Sequence, residues 1–184
     1  MGQSIEFLRR IGVMVLSGAL IAGPAGAATQ GTLGTTSTGT ITITASVANR
    51  AQITGLTDVT FSAVDPGTAA TNAQSDCVWT NTATKGYSIT ATGSGTSGAF
   101  TLANGGLSVP YSVQWAASTG QSSGTGLTSG TPLAGMTSTA VNPTCSTSPT
   151  TTSSLIVGIT APNLQSMTAG TSYTGTLTLL VTPQ

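Results

Sequence analysis

Few residues in this chain could do chemistry. Beyond residue 27 the charged side chains are Arg50, Lys85, Asp58, Asp65 and Asp76, and the whole chain has no His. A Ser–His–Asp or Cys–His nucleophile therefore cannot be assembled. The three aspartates could act as general acid and base only if folding brought two of them together. Otherwise they are turn and loop carboxylates. No D-x-[DN]-x-[DN]-G loop accompanies them, so no calcium loop is expected. The run GSGTSG at 93–98 lacks the Lys and the following helix of a phosphate cradle and reads as a turn. Cys77 and Cys145 have no CxxC spacing and no His to complete a metal site. The expectation is a chain with no catalytic residues, no metal and no cofactor.

Composition points the same way. Lys and Arg number 4, Asp and Glu number 4, and charged residues are 4% of 184. A nucleic-acid binder needs cations to neutralise phosphates, so no nucleic-acid partner is expected. Thr and Ser make up about a third of the chain, and Gly contributes 24 residues. These are poor helix formers. Hydrophobics are 38%, too many for a highly charged disordered chain.

The first 27 residues have the layout of a cleaved signal peptide. Arg9 and Arg10 precede the apolar run Ile11–Ile21, Pro24 breaks it, and Ala25-Gly26-Ala27 forms an A-x-A site. The alternative, a membrane anchor, is disfavoured by a run shorter than the ~20 residues of a span. Cleavage would leave a net charge of 2 − 3 = −1 and no further apolar run to hold the chain in a membrane. In an oxidising compartment Cys77 and Cys145 then read as a disulfide, with two buried thiols as the alternative. Closing a loop of this size is worth roughly 4 kcal/mol in the chain-entropy model.

Strands must position whatever these residues do. In Thr38–Asn49 (TGTITITASVAN), Gly39, Ile41, Ile43, Ala45 and Val47 alternate with Thr38, Thr40, Thr42, Thr44 and Ser46. That is the period of a half-buried strand. Near the other end, Tyr173, Gly175, Leu177, Leu179 and Val181 alternate with Thr174, Thr176, Thr178 and Thr182, with Leu180 the exception on the polar face. The Thr-x-Thr rows sit in two separate strands without a repeat, so they read as polar sheet faces, not an ice-binding array.

Shorter strands are expected at Gln52–Ser62 (interrupted at Gly55), Ala99–Ala103, Leu107–Trp115, Met136–Val141 and Ser154–Thr160. Asp76–Thr80 and Tyr87–Thr92 are expected to form a hairpin around Lys85-Gly86. Pro110 inside its run predicts an edge or bulge. Residues 28–37 read as a flexible leader and 116–135 as an exposed loop of low complexity. No helix is expected after residue 27. Eight or nine short strands with frequent turns predict an all-β sandwich or barrel.

Several segments resemble a known family. ITITASVAN (Ile41–Asn49) is similar to the N-terminal donor segment of bacterial pilins assembled by the chaperone–usher route. The likeness is to the archaic, spore coat protein U-like pilins and to the alternate-chaperone colonisation-factor pilins. VPYSVQWA (Val109–Ala116) resembles a mid-domain strand of that group, and AGTSYTGTLTLLVTP (Ala169–Pro183) resembles its C-terminal strand. Asp76-Cys77 ahead of Gly86-Tyr87-Ser88-Ile89 is similar to its pattern of a Cys shortly before Y-x-I. One departure is that the coat-U group places a Cys just after the first strand, whereas Arg50-Ala51-Gln52 has none.

The resemblance implies an immunoglobulin-like β-sandwich that lacks its last strand. It implies residues 1–27 as signal peptide, 28–49 as an N-terminal extension with the donor strand, and 50–184 as the pilin domain. The donor would insert Ile41, Ile43, Ala45 and Val47 into a neighbour's groove bordered by Leu177, Leu179 and Val181. Partners would be identical or related subunits, a periplasmic chaperone and an outer-membrane usher. The protein would pass through the periplasm to a surface fibre. Two other readings stand beside it. Thr38–Val47 could be an ordinary first strand of its own sandwich. The protein could then be a self-contained secreted binding module, gripping glycans through Trp115, Tyr111 or Trp79.

Overall fold

Residues 27–184 are described in a computed structural model. The signal-peptide reading of residues 1–27 lies, but for Ala27, outside the described residues. Contacts divide the chain into two units, Met1–Ser46 and Val47–Gln184.

The larger unit is all-β with antiparallel pairing throughout. Its strands are β1 (Ala51–Thr54), β2 (Ala70–Thr80), β3 (Gly86–Gly93), β4 (Thr101–Asn104), β5 (Leu107–Pro110), β6 (Ser112–Ala116), β7 (Thr125–Gly126), β8 (Leu133–Thr137), β9 (Ser153–Ile159) and β10 (Leu177–Pro183). One sheet runs β1-β2-β9-β6-β7, a second β10-β3-β8, and β4-β5 form a small ribbon. The two larger sheets face each other across one core. From one side come Val78, Leu155, Val157, Ile159, Val113 and Trp115, and from the other Tyr87, Ile89 and Ala91. Alternation along each strand puts these residues on one face. Trp115 donates its indole N–H to the Tyr87 hydroxyl at 3.1 Å, so two large rings are buried with their polar atoms paired.

A second, smaller cluster lies outside that core. Cys77 and Cys145 form a disulfide, with Cα atoms 6.4 Å apart, and pack with Ala140 against Trp79. The disulfide reading of the sequence holds.

Several expectations need correction. Asp76–Thr80 and Tyr87–Thr92 do not form a hairpin. β2 pairs with β1 and β9, while β3 pairs with β10 and β8, so the turn at 81–85 carries the chain from one sheet to the other. Lys85, at φ 52, makes the sharp step. Leu107–Trp115 divides at Pro110 into β5 and β6, which pair with different partners; the proline falls at the end of a ribbon strand, where its missing N–H costs nothing. The 116–135 segment contains β7 and buries Leu127 in the core. A five-residue helix, α1 (Ala161–Gln165), follows β9, with Pro162 in its first turn and Leu164 buried.

The smaller unit has one described feature. Thr29 and Thr40 exchange two main-chain hydrogen bonds of 2.9 Å each. The rest of Thr38–Asn49 is not in a strand, despite its alternation. An isolated strand has no ladder to hold it, and among the described residues this segment pairs with no other strand beyond that single bridge.

Candidate functional site

β10 forms the outer edge of its sheet, and this edge is the most distinctive feature of the larger unit. Gln184 donates its main-chain N–H to Gly86 at 2.9 Å, beside the β10–β3 ladder. Main-chain groups alternate sides along an antiparallel strand. Those of Thr178, Leu180 and Thr182 therefore face β3. Those of Leu177, Leu179 and Val181 face away from it and have no hydrogen-bond partner among the described residues. Ahead of this edge Thr174 is engaged with Ala103 in the ribbon, by bonds of 2.8 and 3.0 Å. A Cβ at Gly175 would lie 2.7 Å from the Thr101 carbonyl, so only glycine lets β10 approach the ribbon there.

Beside this edge lies an open cavity of about 930 Å³. One wall is the segment 56–64, the other the run 172–177 continuing to Leu179. The floor is apolar, with Leu155, Val157 and Ile159 of β9 and, nearer α1, Leu164 and Met167. The first wall explains a further correction. The expected strand Gln52–Ser62 ends at Thr54, because Gly55 turns to φ +85. Beyond it residues 56–62 pair with no strand. Thr57 is instead held by Gln74, whose side-chain oxygen accepts its N–H at 2.7 Å.

The predicted groove residues are thus partly assembled. Leu177 and Leu179 line the cavity; Val181 packs against the core without lining it. The predicted donor residues lie in the open. Ile41 is 74%, Ile43 84% and Val47 81% exposed, and Ala45 is exposed as well. Such large aliphatic side chains are ordinarily covered.

The chain leaves the larger unit through a specific bracket. Asn81, in the turn after β2, accepts the Arg50 N–H on Oδ1 at 2.6 Å and donates from Nδ2 to the Ala48 carbonyl at 2.9 Å. Its own N–H donates to the Arg50 carbonyl at 3.1 Å. These contacts join residues more than thirty positions apart, and no local pattern in the sequence marks them.

The aspartates do not converge. Among the described residues no three His, Cys, Asp or Glu side chains group together. Asp65 sits in a turn, where Oδ1 accepts the Gly67 N–H at 2.8 Å, and Asp58 is exposed on the cavity wall. Asp76 departs from the loop reading. It lies on β2 opposite Ser153, is fully buried, and neither carboxyl oxygen has a hydrogen-bond partner. Burial pushes its pKa up to about 7. The Leu155 main-chain amide pulls the other way, yet lies outside hydrogen-bond geometry. Trp115 is buried, Tyr111 is largely buried but lines the cavity, and Trp79 is half-buried against the disulfide.

No family model matches this chain, and no curated protein matches it.

Proposed function

We propose that this protein is a structural subunit of a surface fibre, a pilin of the chaperone–usher kind, in which the N-terminal extension of one copy fills the groove of the next. The observation that carries the reading is the pairing of two unsatisfied surfaces in one chain. Leu177, Leu179 and Val181 offer main-chain groups with no partner beside an apolar cavity, and Ile41, Ile43 and Val47 stand exposed on an alternating segment. An open edge with free N–H and C=O groups accepts a strand; a compact ligand would satisfy the cavity but not the edge.

Burial of Ile41, Ile43 and Val47 is worth roughly 5–9 kcal/mol gross, before the ordering cost of the extension. A head-to-tail contact of this sort does not close on itself and propagates as a filament. The scarcity of charge lets neighbours pack with little repulsion. During export a periplasmic chaperone covers the groove, and an outer-membrane usher exchanges it for the next extension. The family resemblance of the sequence supports these two partners.

The test is Ile43→Asp. A charge placed on the inserted face costs several kcal/mol to bury. The variant should keep the fold of residues 47–184, read by the near-ultraviolet signal of buried Trp115, and lose assembly, read by sedimentation and electron microscopy. Fibres from this variant at wild-type yield would overturn the reading.

A further inference from the structure

Asp76 sits at a seam. The β1–β2 ladder ends with Thr54 opposite Cys77, so Gly55 falls beside Asp76 just where the ladder stops. With no side chain at Gly55, main chain alone covers that flank; a Cβ there would lie 3.6 Å from the Asp76 Cα. On the other flank is Ser153. Its hydroxyl is spent on the Asp76 main-chain carbonyl at 3.2 Å and not on the carboxyl. Along β2, Gln74, Asp76 and Val78 share the face turned to the core. Gln74 lines the cavity, and Asp76 follows it inward on that face by about 7 Å.

The cavity wall at 56–64 starts from this seam. Among the described residues, the hydrogen bonds that tie it to the sheet all run to one side chain. Gln74 accepts the Thr57 N–H at 2.7 Å and the Thr57 hydroxyl at 2.9 Å, and donates to the Thr57 carbonyl at 3.1 Å. Val59 and Phe61 add half-buried packing against the core. A segment held this way opens at far lower cost than a strand paired on both sides, such as β9. Its opening brings water to the seam.

No counter-charge serves the Asp76 carboxyl. β1, β9 and β10 carry no ionisable side chain, and β3 carries only Tyr87, whose hydroxyl accepts from Trp115. Asp58 and Asp65, on and just beyond the wall, are exposed. Arg50 precedes Ala51, which pairs with Thr80 at the far end of β2. Lys85 donates its ammonium to the Ala140 carbonyl at 3.0 Å. A carboxyl buried without partner or cation ionises only at a high cost, which hydration removes.

We propose that Asp76 is a proton-operated latch on the cavity wall: protonated, it lets the wall lie closed; ionised, it is hydrated by displacement of the wall. The latch acts whatever occupies the cavity, and leaves it firmly walled in acid and loosely walled toward neutral pH. The closed chain holds its proton up to about pH 7, and the open chain releases it near 3.8. Between those values opening releases a proton, so the open fraction grows about tenfold for each pH unit. Above 7 both forms are ionised and the open fraction levels off.

The test is amide exchange on the full chain carrying Ile43→Asp, so that a neighbour's extension does not hide the opening. Protection factors, corrected for the intrinsic pH dependence of exchange, are read from pH 4 to pH 8. The Thr57 amide reports the wall, and the β9 amides report the core. Thr57 should be less protected than β9 at every pH. Its protection should fall about tenfold per unit up to pH 7 and stay level beyond. Adding Asp76→Asn should abolish that fall.

Flat protection of Thr57 between pH 4 and pH 7 overturns the latch. So does protection equal to that of β9, which would mean that only global unfolding exposes Asp76, and so does a fall that persists in Asp76→Asn. Where Asp76→Asn does not fold, the Thr57 and β9 profiles of the parent chain decide alone. Fibres from the Ile43→Asp chain would overturn the groove reading and not the latch.

Discussion

Asp76→Asn should change how stability depends on pH, and the size of the change follows from the burial of Asp76. The carboxyl is fully buried, no donor reaches its oxygens, and its pKa rises from 3.8 to about 7. Each unit is worth 1.36 kcal/mol, so the difference between folded and unfolded chain amounts to roughly 4 kcal/mol. Between pH 3.8 and 7 the folded chain holds a proton that the unfolded chain has released. The contribution to stability is therefore fully present below pH 3.8, declines as pH rises, and is lost above 7.

The fitting assay is urea unfolding at intervals from pH 4 to pH 8. Beyond residue 27 the sequence has only two other acidic side chains, Asp58 and Asp65, so few groups compete for the slope. Wild type should lose several kcal/mol across that range. Asp76→Asn should be nearly flat and the more stable of the two at pH 8. At pH 4 the variant should equal wild type or fall ~1–3 kcal/mol short, because its amide donors are also buried without partners. Wild-type stability that is flat or rises toward pH 8 would refute the argument. An unchanged slope in Asp76→Asn would place the titrating group elsewhere.

Three further outcomes are expected. Leu179→Asp puts a charge on the cavity wall; it should abolish acceptance of a neighbour's extension while leaving the chain able to donate its own, which mixing with wild type and counting chain ends would reveal. Cys77→Ser should lower unfolding stability by roughly 4 kcal/mol at most, read as a drop in the urea midpoint and in export yield; an unchanged midpoint would mean that the bridge constrains little. Tyr87→Phe leaves the Trp115 indole N–H buried without its acceptor and should cost ~1–3 kcal/mol, measured by thermal unfolding.

Strand positions were legible where alternation met a partner. Leu177, Leu179 and Val181 face inward as their period requires, and Ser154–Thr160 and Tyr87–Thr92 lie almost wholly within β9 and β3. Thr38–Asn49 has the strongest alternation in the chain and yet is not a strand. Period encodes a face, whereas a strand also needs a neighbour. The turn at 81–85 was misread for a related reason, since its residues specify a reversal but not which sheet each flank joins. Asp76 in the core was unreadable because a charged residue argues for the surface. α1 was too short to show a period. Of the site, the inward residues of β10 were visible in advance. The wall at 56–64 and the Asn81 bracket were not, because both depend on residues distant in sequence.

The turn at 81–86 gathers the root of the extension and the end of β10 into one place, and this bears on mechanics. A pull on the extension enters the domain at Asn81 and β1. If the opposing load is carried by a strand laid along β10, it reaches the same turn through β3. Tension then crosses the protein by a short route over one corner. The β6–β9 half of the first sheet lies off that route, so stretching should spare it until the corner itself gives way, whereas Cys77, paired with Thr54 of β1, stands next to it.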